Sequence, residues 1–195
     1  MQTTTCKIQS RFKIIEYDEA SPEVKAIYDD TKKTLQIPFV LNWFKCQGAN
    51  ATLLAGNWAK LKSTLIEGEV PNVLKQLIIY NASKVKGCKY CEQAHGIFAD
   101  SMSKIVSENE NFRITENLDS PLIPQSYRTA IKVITKAAVD PHLIDDSDFK
   151  QLEDVGFDTQ EIQELMAQAD LVNMLNTLAY VAGIKIDNEL IEAKA

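Results

Sequence analysis

Leu77-Ile78-Ile79-Tyr80-Asn81-Ala82-Ser83-Lys84-Val85-Lys86-Gly87-Cys88-Lys89-Tyr90-Cys91-Glu92-Gln93-Ala94-His95-Gly96-Ile97-Phe98 reads as two helices joined at one glycine. The first opens at Pro71 and sets Val73, Leu74, Leu77, Ile78, Ala82 and Val85 on its buried side, a helical period. Gly87 breaks it. The second carries Ile97, Phe98 and Met102 and begins C-x-x-C-x-x-x-H. On a helix, Cys88, Cys91 and His95 fall at i, i+3 and i+7, so two thiols and an imidazole share one face. An imidazole one turn from a thiol can take its proton, and the resulting thiolate attacks peroxide or disulfide sulfur. The other thiol is placed to close a disulfide.

The same helical reading extends outward from this stretch. Ser21-Pro22-Glu23 has the form of a helix start, with Ser as N-cap, Pro at the first position and an acid in the first turn. Ile37-Pro38 ends that helix, and Asn50 caps another through Leu54, Trp58, Leu61 and Leu65. Beyond a polar loop and Pro124, Tyr127, Ala130, Ile131, Ile134 and Ala138 mark an amphipathic helix. Ser147 is expected to cap a short helix with Phe149 and Leu152. Asp158-Thr159-Gln160-Glu161 is a capping box ahead of Ile162, Leu165, Met166 and Ala169, and an apolar run follows from Leu171 to Ile184. The one candidate for extended chain is Phe12-Lys13-Ile14-Ile15. The expected fold is an all-α multi-helix bundle, a single domain over residues 1–195. Its two halves, about 20–106 and about 121–190, suggest an eroded repeat, with Val139-Asp140-Pro141-His142 where a second C-x-x-C would stand.

Composition narrows the function. A net charge of −6 argues against nucleic acid as a partner, and no apolar run approaches the length of a membrane span. The first residues, Met1 to Lys7, lack a secretory apolar block, so a cytoplasmic location is expected, with Cys6, Cys46, Cys88 and Cys91 as reduced thiols. Cys46 lies in an apolar context and reads as a packing residue. A zinc site needs more ligands than the isolated Cys6, Cys46 and His142 add to Cys88, Cys91 and His95, so neither metal nor other cofactor is expected. Were Gly87 the N-cap, Cys88 would sit in the first turn, where a helix end and Lys84, Lys86 and Lys89 favour thiolate. Cys88 is nearer the helix end and Cys91 nearer His95, and the residues alone leave open which attacks first. Trp43, Phe44 and Trp58 sit in apolar runs that suggest more apolar face than one bundle covers, hence a homo-oligomer.

The segment Leu77 to Phe98, with its Lys-Gly-Cys-Lys-Tyr-Cys-Glu-Gln-Ala-His, resembles the alkylhydroperoxidase D-like branch of the carboxymuconolactone decarboxylase family. Ile37-Pro38-Phe39-Val40, the helix around Trp58 and Val155-Gly156-Phe157-Asp158 are similar to its peroxidase-related members. Decarboxylase members typically lack the cysteine pair. The resemblance implies a trimer or hexamer and a thiol cycle in which His95 activates Cys91 and Cys88 pairs with it. Peroxide or a disulfide would be the substrate, and an external dithiol the reductant. The family pattern has a glutamate twelve residues before the first cysteine as a proton relay; this chain has Gln76 there, and Tyr90 where a second histidine can lie. Gln cannot relay a proton as a carboxylate does. Two placements fit Gln76, a site residue or a polar residue facing another helix or solvent. Tyr80, one turn on, faces either the same pocket or the core. The competing function is a non-redox binding or assembly protein with a degenerate site on the same scaffold.

Overall fold

A computed structural model describes residues 10–194. Nine α-helices occur among them: α1 (Pro22–Leu35), α2 (Asn42–Lys45), α3 (Ala51–Leu61), α4 (Asn72–Val85), α5 (Lys89–Ser101), α6 (Gln125–Val139), α7 (Asp146–Asp154), α8 (Thr159–Ala182) and α9 (Asn188–Lys194). No strand appears among the described residues, and Phe12 to Ile15 run as irregular chain, pinned where the Ile15 N–H donates to the Lys45 carbonyl at 3.1 Å. No described helix is long and apolar enough to cross a membrane. Cys6 lies outside the described residues.

The helix starts follow local chemistry. The Ser21 hydroxyl accepts from the Val24 N–H, and Asn50 Oδ1 accepts from the Leu53 N–H at 3.0 Å. Asp158 and Glu161 close a reciprocal capping box on α8, which runs unbroken through the apolar stretch to Ala182. For α7 the cap is Asp145 rather than Ser147: Asp145 accepts from Ser147 and Asp148, and Asp148 reaches back to complete a box. The acidic run Asp145-Asp146 hid this register in the sequence.

Helix α4 is the centre of the bundle and packs on α5, α6 and α8. Leu74, Leu77, Ile78 and Ile79 are fully buried, each worth about 1.5–3 kcal/mol by removal of apolar surface from water. Val85, expected on the buried side, is exposed at the helix end. Gly87, at φ +74°, turns the chain so that α5 folds back along α4 as a helical hairpin. Gly96 lets the two approach, since a Cβ there would meet the Tyr80 ring at 3.1 Å. Buried side chains tie α8 to its neighbours: Gln168 donates to the Thr64 carbonyl, and Ser83 donates to Asn176 Oδ1 at 2.9 Å. Trp43, Phe44 and Trp58 form an edge-to-face stack inside the monomer, so their apolar surface is no argument for association.

Candidate active site

The backbone conformation at the start of α5 assigns the cysteines different roles in the helix. Cys88 is itself the N-cap, with extended φ/ψ, and Cys91 lies in the first turn; Gly87 is one step outside. Both thiols are buried and reduced, and the Cys88 sulfur lies 3.9 Å from the Asn176 carbonyl on α8. Its pKa is lowered to about 7, chiefly by the hydrogen bond from the Cys91 thiol, with help from the N–H groups of Cys91 and Tyr90. These amides sit at the positive end of α5 and favour the thiolate without a full cap hydrogen bond. Cys91 is pushed well up, because it supplies that hydrogen bond and is desolvated. The lysines do not carry this effect. Lys89 pairs with Glu92 at 2.7 Å, and Lys86 donates to the Ala138 carbonyl. Cys46 is a buried packing thiol, raised to about 11 by desolvation.

Cys91 and His95, one helical turn apart, line a cavity of about 330 Å³; Cys88 is behind it, toward α8. The walls are largely apolar, with Trp43, Phe44 and Phe98 supplying aromatic faces, and no Asp, Glu, Lys or Arg lines it. The exposed Gln36 at the end of α1 is among its lining residues. Gln76 is a site residue: its Oε1 lies 2.7 Å from His95 Nδ1. Its Nε2 donates in turn to Asn72 Oδ1 at 3.2 Å. Burial lowers the His95 pKa to about 4, since no carboxylate compensates the lost hydration of the imidazolium. His95 is therefore neutral at physiological pH.

Tyr90 also lines the cavity. Its hydroxyl donates to Asp187 Oδ2 at 2.8 Å and accepts from the Trp43 N–H at 3.3 Å, while Asp187 Oδ1 accepts from the Asn42 N–H at 2.7 Å. This clamp fixes the residue between the two cysteines against α2 and the C-terminal segment. Tyr80 does not line the cavity; its ring covers Gly96, and Lys84 lies 5.7 Å from its centroid. Sequence reasoning missed Asn72 and Asp187. Asn72 had a readable signal, a polar pair with Gln76 at i, i+4. Asp187 is 97 residues from Tyr90 and had none.

The arrangement of helices matches solved structures along nearly the full chain. It has the alkylhydroperoxidase D-like fold. An uncharacterized peroxidase-related protein from Silicibacter sp. TM1040 superposes with a TM-score of 0.80 at 18% identity, covering 97% of both chains. The alkylhydroperoxidase AhpD core protein from Ralstonia eutropha JMP134, also described as peroxidase-related, gives 0.79 at 19% identity, covering 93% of this chain and 94% of that one. A variant of the debrominase Bmp8 in complex with 2,3,4-tribromopyrrole gives 0.71 at 18% identity, covering 96% of this chain and 100% of that one. No protein-family model matches the sequence, and no curated protein matches it.

Proposed function

We propose that this chain is a thiol oxidoreductase that reduces a small, neutral organic hydroperoxide through Cys91 and Cys88, with His95 moving the proton. The observation that carries the reading is the placement of Cys91 and His95 on one apolar cavity, with Cys88 hydrogen-bonded to Cys91 from behind. The cavity is at the low end of the ~300–1,000 Å³ range of small-molecule sites, and its uncharged walls would leave an anionic ligand without a counter-charge.

In this reading the Cys91 sulfur attacks the terminal peroxide oxygen. The S–O bond forms, the O–O bond breaks, and the thiol proton passes through His95 to the departing alkoxide, giving alcohol and a sulfenic acid. Cys88, with its pKa lowered to about 7 and so partly thiolate at neutral pH, attacks the Cys91 sulfur; with one proton from solvent, water leaves and a disulfide remains. An external dithiol reduces it. Overall, one hydroperoxide and two thiols give alcohol, water and a disulfide. Position rather than acidity supports this division: Cys91 meets the cavity and Cys88 lies behind it, and His95 has to take the proton from a Cys91 thiol that is held well above the usual range.

A second reading has a specific support, the similarity to a debrominase whose complex holds a flat halogenated ring, together with the aromatic faces of Trp43, Phe44 and Phe98. A carbon–bromine bond reduced by the same pair gives C–H, bromide, a proton and the disulfide, with the same two-electron balance. Reduced protein treated separately with cumene hydroperoxide and 2,3,4-tribromopyrrole separates these readings. Stoichiometric cumyl alcohol with a Cys88–Cys91 disulfide supports the first, and bromide release supports the second. If neither compound oxidises the pair, the non-redox binding protein is the better description.

A further inference from the structure

We infer that Asn72, in the first turn of α4, is a positioning residue that fixes the tautomer of His95, with the hydrogen on Nδ1. The inference deepens the proposed role of His95 as the proton carrier and rests on that reading for its kinetic consequence only.

The chain of reasoning begins at a backbone carbonyl. After α3 the chain makes a π-helical turn over Lys62–Ile66, closed by the Glu67 N–H donating to the Lys62 carbonyl. Such a turn leaves its last carbonyls without helical partners. Asn72 Nδ2 donates to one of them, the Leu65 oxygen, at 3.1 Å. A carbonyl only accepts, so the amide group of Asn72 has one orientation, with Oδ1 turned away toward α4. That oxygen also only accepts, which obliges Gln76 to present Nε2 to it, at 3.2 Å. The Gln76 oxygen is then the atom facing His95 Nδ1 at 2.7 Å, and two acceptors do not sit at that distance. Nδ1 must therefore carry the hydrogen.

In neutral imidazole, a proton on Nδ1 leaves Nε2 as a bare acceptor. No described residue bonds Nε2, and His95 contributes to the cavity wall. The site thus offers its ligand an acceptor, suited to an incoming hydroperoxide O–H and to the Cys91 proton. Were Gln76 reversed, the opposite tautomer would present an N–H and be unable to take that proton. Three links fix this choice. Gln76 by itself has no preference, since an amide can turn either end to the ring.

The test uses the full-length reduced protein with 15N-labelled histidine. The chain has two histidines, so the His95 ring signals are those lost in His95→Gln, leaving His142. Ring 15N shifts and couplings to the carbon-bound protons distinguish the tautomers at pH 7. Wild type is expected to show protonated Nδ1 and unprotonated Nε2 at His95. Asn72→Leu, with Asn72→Ala as a second variant should the first fail to fold, removes the acceptor and should give a substantial population of the Nε2–H form. Asn72→Asp keeps an acceptor for Gln76 while losing the donor to Leu65, and should retain the wild-type tautomer. In cumene hydroperoxide turnover, Asn72→Leu should lower kcat about 10-fold or more with little change in KM, and Asn72→Asp should recover most of it. An Nε2–H tautomer in wild type, or an unchanged tautomer in both Asn72→Leu and Asn72→Ala, overturns the inference. The tautomer is read without turnover, so a protein with the expected pattern that reduces no hydroperoxide refutes the proposed function and supports the role of Asn72.

Discussion

Acidification from neutral pH should destabilise this protein through His95. The perturbation is a change from pH 7.5 to pH 5.0. The folded pKa is lowered from 6.5 to about 4 by burial, so between these values the unfolded chain binds a proton that the native state does not. Stability therefore rises with pH through this window and is lost as pH falls below 6.5. Linkage gives a loss of about 2 kcal/mol by pH 5 and about 3 kcal/mol by pH 4. Urea denaturation at the two pH values, at fixed protein concentration, measures it. With an m-value of about 2 kcal/mol per molar, the midpoint should fall by about 1 M. Other groups contribute, and Asp187, raised by burial, acts in the opposite sense. The quantity to compare is hence the difference from His95→Gln, which has no titrating ring and should lack about 2 kcal/mol of the wild-type dependence. Equal pH dependence in the two proteins would refute the reasoning that a neutral, desolvated imidazole faces Gln76.

Other outcomes follow from the same geometry. Thiolate absorbance at 240 nm should titrate with a midpoint near 7, and Cys91→Ala, which removes the thiol donor that chiefly lowers Cys88, should move that midpoint upward. Mild oxidation should link Cys88 to Cys91, with Cys46 left free in tryptic mass spectra, because Cys46 is buried and raised to about 11. Tyr90→Phe leaves Asp187 and the Trp43 N–H each short of one partner and should cost about 1–3 kcal/mol in urea melts. Lys75 is buried and paired with Glu164, which also accepts from the Glu69 and Val70 N–H groups, so Lys75→Met should cost about 3–5 kcal/mol by leaving that carboxylate without its cation.

Much of the helical framework was legible because its signals are local. Ser21, Asn50 and the pair Asp158–Glu161 cap their own helices through bonds to residues three positions away. The spacing of Cys91 and His95 likewise guarantees a shared face wherever the helix lies. Ser147 was misread because neighbouring acids offered competing caps, and only the backbone conformation at Asp145 selects between them.

The sequence by itself determined the helices, the break at Gly87 and the adjacency of two thiols and an imidazole, since each depends on a repeat of a few residues. The crossing of α4 over α5 decided the rest. It put Gln76 against His95 and Tyr80 against Gly96, two outcomes that helical period alone left open. Only the tertiary structure brought the Leu65 carbonyl to Asn72 and Asp187 to Tyr90, and only it set Cys91 toward the cavity with Cys88 against α8. The physical reason is that acidity and tautomer respond to desolvation and to hydrogen-bond partners, and those are fixed by packing between helices distant in the chain.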